Sequence, residues 1–543
     1  MRVAFPGRLP AAPLLGFLVA FVLAPVALLL GTGLAGAGGA AAIEHAVLDP
    51  VNVRAIQNSV VEGGVSALAA FGVGYPIGLF LGRTSFRGRS WLLGIALVPF
   101  LLPTVAVVLG VQEAFGADGL LRPIAPALGV LSYGFGGIVL TNVVFNAPLL
   151  ALLTSVGVES ASSELEESVA ALGGSPFRAF RSVWAGPSLH GALSGALLTF
   201  LFSSLAFAGP ILIGGARWYT LEARIYVLAQ TLAEPRAAAA LAAVALLLLA
   251  APTALYLLAS RRLATGPARR AAPPRPFDPS SAVDWGLGAF AVIGVLALLS
   301  FLALVVERGF APASPGTAWG GRLPALFAPA LTDRLGFSTG AALLNTLAFA
   351  GLSSALAFLL ALGASHRSAR PSRPSRSLAA LTFLPLLVSP VVLAFALSNA
   401  WRPLFGGVSA AADLIVIGQA ALALPFVLQS LGLAFEAVPR AAAESAEALG
   451  ASPWQSYLEA ELPLALPGAR AALLFAFALG LGEFTATNFL ATPSTTTLSV
   501  ELYRLGSLRL GGFAPTIAAL LVLLSLATLG PIAYLGGGRA RVL

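Results

Sequence analysis

The sequence predicts an all-α polytopic membrane protein built from two similar six-helix halves. The chain of 543 residues is 58% hydrophobic and only 10% charged, which is too little charge to cover the surface of a soluble protein. Apolar runs of about 20 residues recur along the whole length, and each is long enough to cross a hydrocarbon core of roughly 30 Å. A polar segment rich in Glu, Ala and Gly then occurs twice in this otherwise apolar chain.

Twelve apolar runs are interpreted as membrane spans and are numbered in chain order. A linker rich in Pro and Arg, residues 261–284, divides the chain nearly in half, and so many prolines are incompatible with a helix. The predicted division is a first membrane domain at 1–260, a cytoplasmic linker at 261–284 and a second membrane domain at 285–543. The approximate span centres are Phe21, Leu68, Leu102, Val144, Thr199, Leu246, Leu296, Ser353, Val388, Phe426, Phe477 and Leu523.

The arginines predict the orientation. Of the 31 basic residues, 20 fall on one side of the twelve spans and 11 on the other, and the richer side is expected to be cytoplasmic. Both termini then lie inside. Some arginines on the outer side have an acidic neighbour in sequence, such as Glu222 beside Arg224. The first apolar run resembles a signal peptide, but it is long enough to span, and its removal would leave an odd number of helices.

Several kinds of chemistry are excluded by composition. The chain contains no cysteine and no lysine, so thiol chemistry and a phosphate-binding Walker A loop are both excluded. An ATP-driven machine would therefore need its ATPase on another chain. The three histidines, His45, His190 and His366, lack metal-binding spacing and are interpreted as loop or helix-end residues. No metal or cofactor is expected on this chain.

The duplicated polar segment reads ELEESVAALGGSPF in the first half and AAAESAEALGASPW in the second. The glycines suit the left-handed position after a helix, and each Ser-Pro pair suits the start of another helix. We expect two short helices joined by a turn, the second exposing the aromatic pairs Phe177/Phe180 and Trp454/Tyr457 for a partner. The aligned pairs are Glu167 with Glu444, Gly173 with Gly450, Ser175 with Ser452, Pro176 with Pro453, and Phe177 with Trp454.

A shorter repeat marks the second span of each half. Asn58-Ser59 opens span 2, and Asn345-Thr346 opens span 8. Each pair is followed by small residues and then by an arginine-bearing loop. These matches support a parallel repeat, in which both polar segments lie on the same side of the membrane.

The polar segments resemble the EAA loop of ABC-importer permeases, whose pattern is EAA, three residues, Gly, and a later Leu-Pro. The second copy has Glu444-Ser445-Ala446, Gly450 and Leu462-Pro463, whereas the first ends in Gly186-Pro187 instead of Leu-Pro. Two fused halves are similar to the thiamine and iron(III) importer permeases. The stretches that look most like the thiamine permease begin at Leu102, Tyr133 and Leu212.

The resemblance implies the type I importer fold and a set of partners. Two copies of an ABC ATPase, carrying ATP and Mg, would dock on the cytoplasmic loops, and a soluble or lipid-anchored binding protein would deliver the substrate outside. The implied substrate is thiamine, with iron(III) as the alternative. The resemblance also implies no nucleic-acid partner and a location in the bacterial inner membrane. The implied ATPase-coupling residues are Glu167, Gly173, Pro176, Phe177, Glu444, Gly450, Pro453 and Trp454.

Glu483 is the first candidate for the substrate pathway. A carboxylate beside an apolar span is costly and usually functional, and it would attract a cation. A structural role with a helix terminus or with Asn488 is the alternative. The remaining pathway candidates, several of which also suit bonds between helices, are Ser203, Ser204, Asn142, Asn146, Gln429 and Asn488.

Two other classes of function compete with this prediction. An ion-coupled secondary transporter would need pairs of acids within the membrane, and it leaves the duplicated loops unexplained. A membrane enzyme would need a catalytic cluster, and the sparse histidines argue against one.

Overall fold

The fold is helical almost throughout, as predicted. The only strands in the described part of the chain are Thr84–Ser85 and Arg275–Pro276, which pair in parallel. This computed structural model describes residues 12–34, 39–161, 163–264, 274–312, 318–368, 385, 388–405, 409–507 and 511–535.

Nine helices among these residues are long and apolar enough to cross a membrane. They stand at nine of the twelve predicted positions. Spans 1, 2, 4, 5 and 6 are Ala12–Gly33, Pro50–Arg83, Gly134–Glu159, Phe177–Ser204 and Pro235–Tyr256; spans 7, 8, 10 and 11 are Ala282–Phe310, Thr339–Ser365, Ala411–Glu436 and Ser456–Gly482.

The other three predicted spans are less regular. Span 3 consists of Arg89–Leu101 and Thr104–Phe115, which meet at an angle of 97°, because Pro103 begins a new helix direction. The described helix of span 9, Pro390–Phe405, begins two residues after the predicted centre Val388. Span 12 is the helix Ala514–Leu535.

Short helical segments connect the spans. Two groups of them face each other across the halves, and we name them the 5–6 segment (residues 205–234) and the 11–12 segment (residues 483–507). The short elements are Gly39–Leu48, Pro126–Leu131, Ser163–Ala171, Pro210–Gly214, Ala216–Trp218, Leu221–Tyr226, Val227–Thr231, Arg322–Leu326, Pro329–Leu335, Arg440–Ala448, Thr485–Leu490, Pro493–Thr495, Leu498–Ser507 and Gly511–Phe513.

The first span of each half packs against the third span of the other half. In one direction, the Trp401 indole of span 9 donates a hydrogen bond to the Ala20 carbonyl of span 1 at 3.2 Å. In the other, a side chain at Gly110 of span 3 would lie 2.6 Å from the Phe301 carbonyl oxygen of span 7. The halves are therefore interlocked by this exchange.

The end of the linker is attached to the first half. Residues 275–276 form the strand beside Thr84–Ser85, and Arg275 makes a 2.6 Å ion pair with the buried carboxylate of Asp284. The helix of span 6 continues to Ala264, and span 7 begins at Ala282. The helices thus extend into both ends of the predicted linker, while residues 265–273 lie outside the described residues.

Three glycines four residues apart allow span 2 to approach the backbone of span 4. A Cβ atom built at Gly74, Gly78 or Gly82 would lie 2.6, 2.3 or 2.8 Å from a carbonyl oxygen of Gly134–Glu159. Small residues at this spacing are how helices approach closely in a membrane, where the hydrophobic effect does not drive helix association.

We expect Gly78→Ala to destabilise the protein by about 1–3 kcal/mol, since its methyl group would press on the span 4 backbone. Gly72→Ala on the same helix is the control, because nothing lies within 4 Å of its Cβ position. Thermal unfolding of the two variants in detergent measures the difference. Equal unfolding midpoints for the two variants would show that the contact between spans 2 and 4 does not require glycine.

Candidate functional site

The two duplicated loops have the same backbone turn. Gly173 and Gly450 adopt left-handed φ angles of 72° and 92°. The next residue in each loop donates back to the preceding helix, from Gly174 to the Val169 carbonyl at 2.8 Å and from Ala451 to the Ala446 carbonyl at 3.0 Å. The prediction that each glycine ends a helix is confirmed. Glycine suits this position because few other residues adopt this φ without strain.

The Ser-Pro pairs begin the next helix in both loops. The Ser175 hydroxyl accepts from Arg178 N–H at 3.3 Å, and the Ser452 hydroxyl accepts from Gln455 N–H at 3.3 Å. The expected second short helix is wrong, however. No break follows Pro176 or Pro453, so each helix continues through a π-helical stretch into span 5 or span 11.

Each loop exposes a matched apolar pair. Leu172 and Phe177 are 86% and 72% exposed, and their counterparts Leu449 and Trp454 are 90% and 52% exposed. Tyr457, which was expected to be exposed, is buried against Trp454 and Phe435. Exposed apolar side chains grouped in this way typically mark a surface for another protein.

The acidic residues of the loops divide into exposed and attached ones. Glu167 and Glu444 are exposed. In contrast, Glu166 forms a 2.7 Å ion pair with Arg83 at the end of span 2, and the Arg83 guanidinium lies 5.8 Å from the centre of the Trp184 ring. The first loop is thereby fixed to spans 2 and 5.

The shorter sequence repeat attaches the 5–6 segment to span 2 and the 11–12 segment to span 8. The Asn58 amide donates at 3.0 Å to two carbonyls of the 5–6 segment, those of residues 217 and 219. The Asn345 amide donates at 3.0 Å to residues 494 and 496 of the 11–12 segment. The neighbouring hydroxyls of Ser59 and Thr346 accept from Leu221 and Leu498 N–H. These equivalent bonds confirm the parallel repeat.

Aromatic side chains from both halves meet between the 5–6 and 11–12 segments. The rings of Phe207 and Phe484, which occupy equivalent positions, have centroids 5.6 Å apart. Phe207 also packs on Tyr226 at 5.1 Å, and Phe484 packs on Tyr503 at 5.7 Å. We call these four residues the aromatic cluster. Because Phe207 and Phe484 are buried, the cluster closes the halves against each other at this level.

Glu483 caps a helix of the 11–12 segment. Its carboxylate accepts from Ala486 N–H at 2.7 Å, Thr487 N–H at 2.9 Å and the Thr487 hydroxyl at 2.5 Å. Gln419 of span 10 donates to the same hydroxyl at 3.0 Å and accepts from Ser353 at 3.2 Å. The carboxylate oxygens are therefore engaged within the second half, which favours the structural alternative for this residue.

The other pathway candidates fall in three different places. Asn146 and Ser203 lie inside the first half, 3.5 Å apart, and Ser204 is buried beside them. Asn488 lies close to the Tyr226 hydroxyl, next to the aromatic cluster. Gln429 is exposed on span 10.

Span 2 also contains a buried acid that its sequence pattern does not single out. Glu62 is 1% exposed and accepts from Asn142 at 3.0 Å, and Asn142 also donates to Ser66 at 3.1 Å. These residues bond helices within the first half, the role that the sequence left open for Asn142. An intramembrane acid is itself a signal, but Glu62 stands beside Gly63 and Gly64 within the long helix Pro50–Arg83.

Two further acids outside the spanning helices are fully buried. Glu222 lies in the 5–6 segment and Glu501 in the 11–12 segment, each at 0% exposure. Loss of hydration raises the pKa of Glu222 to about 8 and that of Glu501 to about 7. Glu501 accepts from Thr339 at 2.6 Å. Within the described residues, no group of three His, Cys, Asp or Glu side chains could hold a metal ion.

Comparison with known proteins identifies the family. The sequence profile of the family described as "Binding-protein-dependent transport system inner membrane component" matches twice, at residues 74–264 and 353–535. Together the matches cover more than half of the chain. The chain belongs to this family.

Similar proteins include permeases for different solutes. The thiamine transport system permease protein of Brucella suis is 26% identical over 516 residues, which is 93% of this chain and 92% of that protein. Its Escherichia coli counterpart is 27% identical over 464 residues, or 82% and 83% of the two chains. A probable molybdenum ABC transporter permease protein of Haloferax volcanii is 28% identical over 216 residues, 39% of this chain and 76% of that protein.

These matches establish the general function. The chain is the multi-pass permease of an ABC importer, with two fused permease domains, and it is a transport subunit and not an enzyme. Permeases of this family work with an ATPase and a substrate-binding protein. The prediction of an ABC permease is confirmed, and the secondary-transporter and enzyme alternatives are set aside.

We expect Glu483→Ala to lower the free energy of unfolding by about 1–2 kcal/mol, because it removes the acceptor at a helix N-terminus. Glu483→Gln keeps one acceptor oxygen and should cost less. The exposed acid Glu436 supplies a control, Glu436→Ala. Thermal unfolding and uptake are measured together, and normal stability with lost uptake would instead make Glu483 a substrate ligand.

Proposed function

We propose that this permease imports thiamine through a pathway between its two halves. The observation that supports this is the extent of the thiamine permease match, which covers 93% of the chain across both halves and the linker. The molybdenum permease match covers 39%. Iron(III) import rests only on the sequence resemblance and remains the second candidate.

The two duplicated loops are proposed as docking sites for two copies of the ATPase, which would bind ATP and Mg. Their matched turns and exposed apolar pairs support equivalent contacts with two identical subunits. Glu167 and Glu444 would lie at the edge of each contact. The continuity of each loop helix with span 5 or span 11 would carry the motion of the ATPase into the membrane.

The orientation follows from the same proposal. The loops must face the cytoplasm to meet an ATPase, so both termini lie inside and the binding protein, soluble or lipid-anchored, approaches the 5–6 and 11–12 segments from outside. The arginine distribution independently supports this orientation.

If the loops dock the ATPase, Phe177→Ala and Trp454→Ala should each weaken its binding about tenfold, since exposed aromatic anchors dominate such interfaces. The double variant should retain almost no ATPase subunit during purification. Trp319→Ala is the control, because Trp319 is 65% exposed and belongs to the connection between spans 7 and 8. Unchanged co-purification of the double variant would refute the docking surface.

Reconstitution tests the substrate. The permease, with the ATPase and binding protein encoded beside it, should take up labelled thiamine into liposomes in an ATP-dependent manner. Molybdate and iron(III) are supplied to parallel samples. ATP-dependent uptake of either of these, without thiamine uptake, would refute thiamine as the substrate.

A further inference from the structure

We infer that Glu222 and the aromatic cluster form a binding site for an organic cation on the pathway between the halves. The inference rests on the proposed import function, because it names the chemistry by which the permease itself would recognise its solute. Four properties of the 5–6 segment and its surroundings support it.

The first is the uncompensated burial of Glu222. The side chain is completely buried, and neither of its carboxyl oxygens has a hydrogen-bond partner of normal geometry in the described residues. Arg224, its neighbour in sequence, instead bonds Asn52 through Nε at 2.6 Å. A carboxylate is costly to bury without a positive partner, so a cationic ligand would stabilise its charged form.

The second is the position of Glu222 at the interface between the halves. It belongs to the helix Leu221–Tyr226 of the first half. The Ser389 hydroxyl and the Val391 backbone, at the start of span 9 in the second half, act on its carboxyl group. Both neighbours favour the charged form of the carboxyl group. A ligand that moves between the halves would therefore meet this acid.

The third is the alignment of Glu222 with the aromatic cluster. Tyr226 follows Glu222 by four residues, so the two side chains lie on one face of the helix. The Tyr226 ring contacts Phe207 at 5.1 Å and Phe489 at 5.9 Å, and Phe489 in turn contacts Phe395 of span 9 at 5.7 Å. Aromatic faces attract cations, most strongly where water is excluded.

The fourth is the contrast with other acids of the two halves. Glu62 and Glu501, which are also buried, each accept a hydrogen bond from a side chain of their own half, and so does the half-buried Glu483. The position equivalent to Glu222 in the 11–12 segment is Ser499, whereas Tyr226 has the aromatic counterpart Tyr503. A buried acid that faces the other half thus occurs on one side of a site whose aromatic part is present on both.

The experiment uses the full transporter in liposomes, with thiamine as the probe. Glu222→Gln and Tyr226→Leu should each lower the uptake rate by about tenfold or more. Tyr226→Phe keeps the ring and should therefore lose less of the uptake rate than Tyr226→Leu. Glu501→Gln removes an equally buried acid from the equivalent segment and should stay within about twofold of wild type. Co-purification of the ATPase verifies that each variant is assembled.

A second measurement does not depend on transport. The natural chain has no cysteine, so Tyr226→Cys introduces a single thiol for labelling. A cationic methanethiosulfonate reagent should react with it at least about tenfold faster than an anionic one. Thiamine should protect the thiol, and the added Glu222→Gln substitution should abolish the charge preference.

The outcomes separate this site from the identity of the solute. Three results would each overturn the site. They are a wild-type uptake rate in Glu222→Gln, a loss of uptake in Glu501→Gln as large as that in Glu222→Gln, and equal labelling rates with the cationic and anionic reagents. If wild type carries another organic cation and depends on Glu222 and Tyr226, thiamine is refuted and the site stands. If it carries molybdate, or carries iron(III) without needing the Tyr226 ring, both proposals are refuted.

Discussion

A backbone group that is buried away from water without a hydrogen-bond partner costs free energy, and this constraint determines how the 5–6 and 11–12 segments are held. The 5–6 and 11–12 segments interrupt the helical bundle and leave carbonyl groups without intrahelical partners. Asn58 and Asn345 each supply one amide that bonds two of these carbonyls, as broken helices in membrane proteins require. The two segments can therefore face each other across the halves in fixed positions, and the aromatic cluster and Glu222 depend on that placement.

The backbone turns of the loops could be predicted from sequence, whereas the side chains that are buried in the helical bundle could not. The turn at Gly173 and the cap at Ser175 follow from a few adjacent residues. In contrast, span 10 is apolar on the faces toward both lipid and protein, so its sequence does not indicate that Gln419 points inward and Gln429 outward. Glu222 is a neighbour of Arg224 in sequence, but residues two apart on a helix face different directions, and Arg224 bonds Asn52.

The repeat duplicates the framework but not the chemistry within it. Asn58 and Asn345 make equivalent bonds, and Phe207 and Phe484 meet as equivalent residues. Charge, in contrast, is placed differently in the two halves, since Glu222 corresponds to Ser499. Fusion of the halves in one chain permits this asymmetry, because each copy then varies independently. A site with an acid in only one half matches a single asymmetric solute better than a symmetric site would.

Continuity of the helices connects the two functional regions. Span 5 runs from Phe177 in the first loop to Ser204, a distance of about 42 Å at the rise of an α-helix. Phe207 follows three residues after Ser204, and Phe484 follows two residues after Gly482, where span 11 ends. A displacement of either loop therefore reaches the aromatic cluster through one helix, without an intervening hinge loop. The π-helical stretches at the loop ends of both spans are the places where such a helix most readily changes register, so motion there would separate Phe207 from Phe484 and open the path past Glu222.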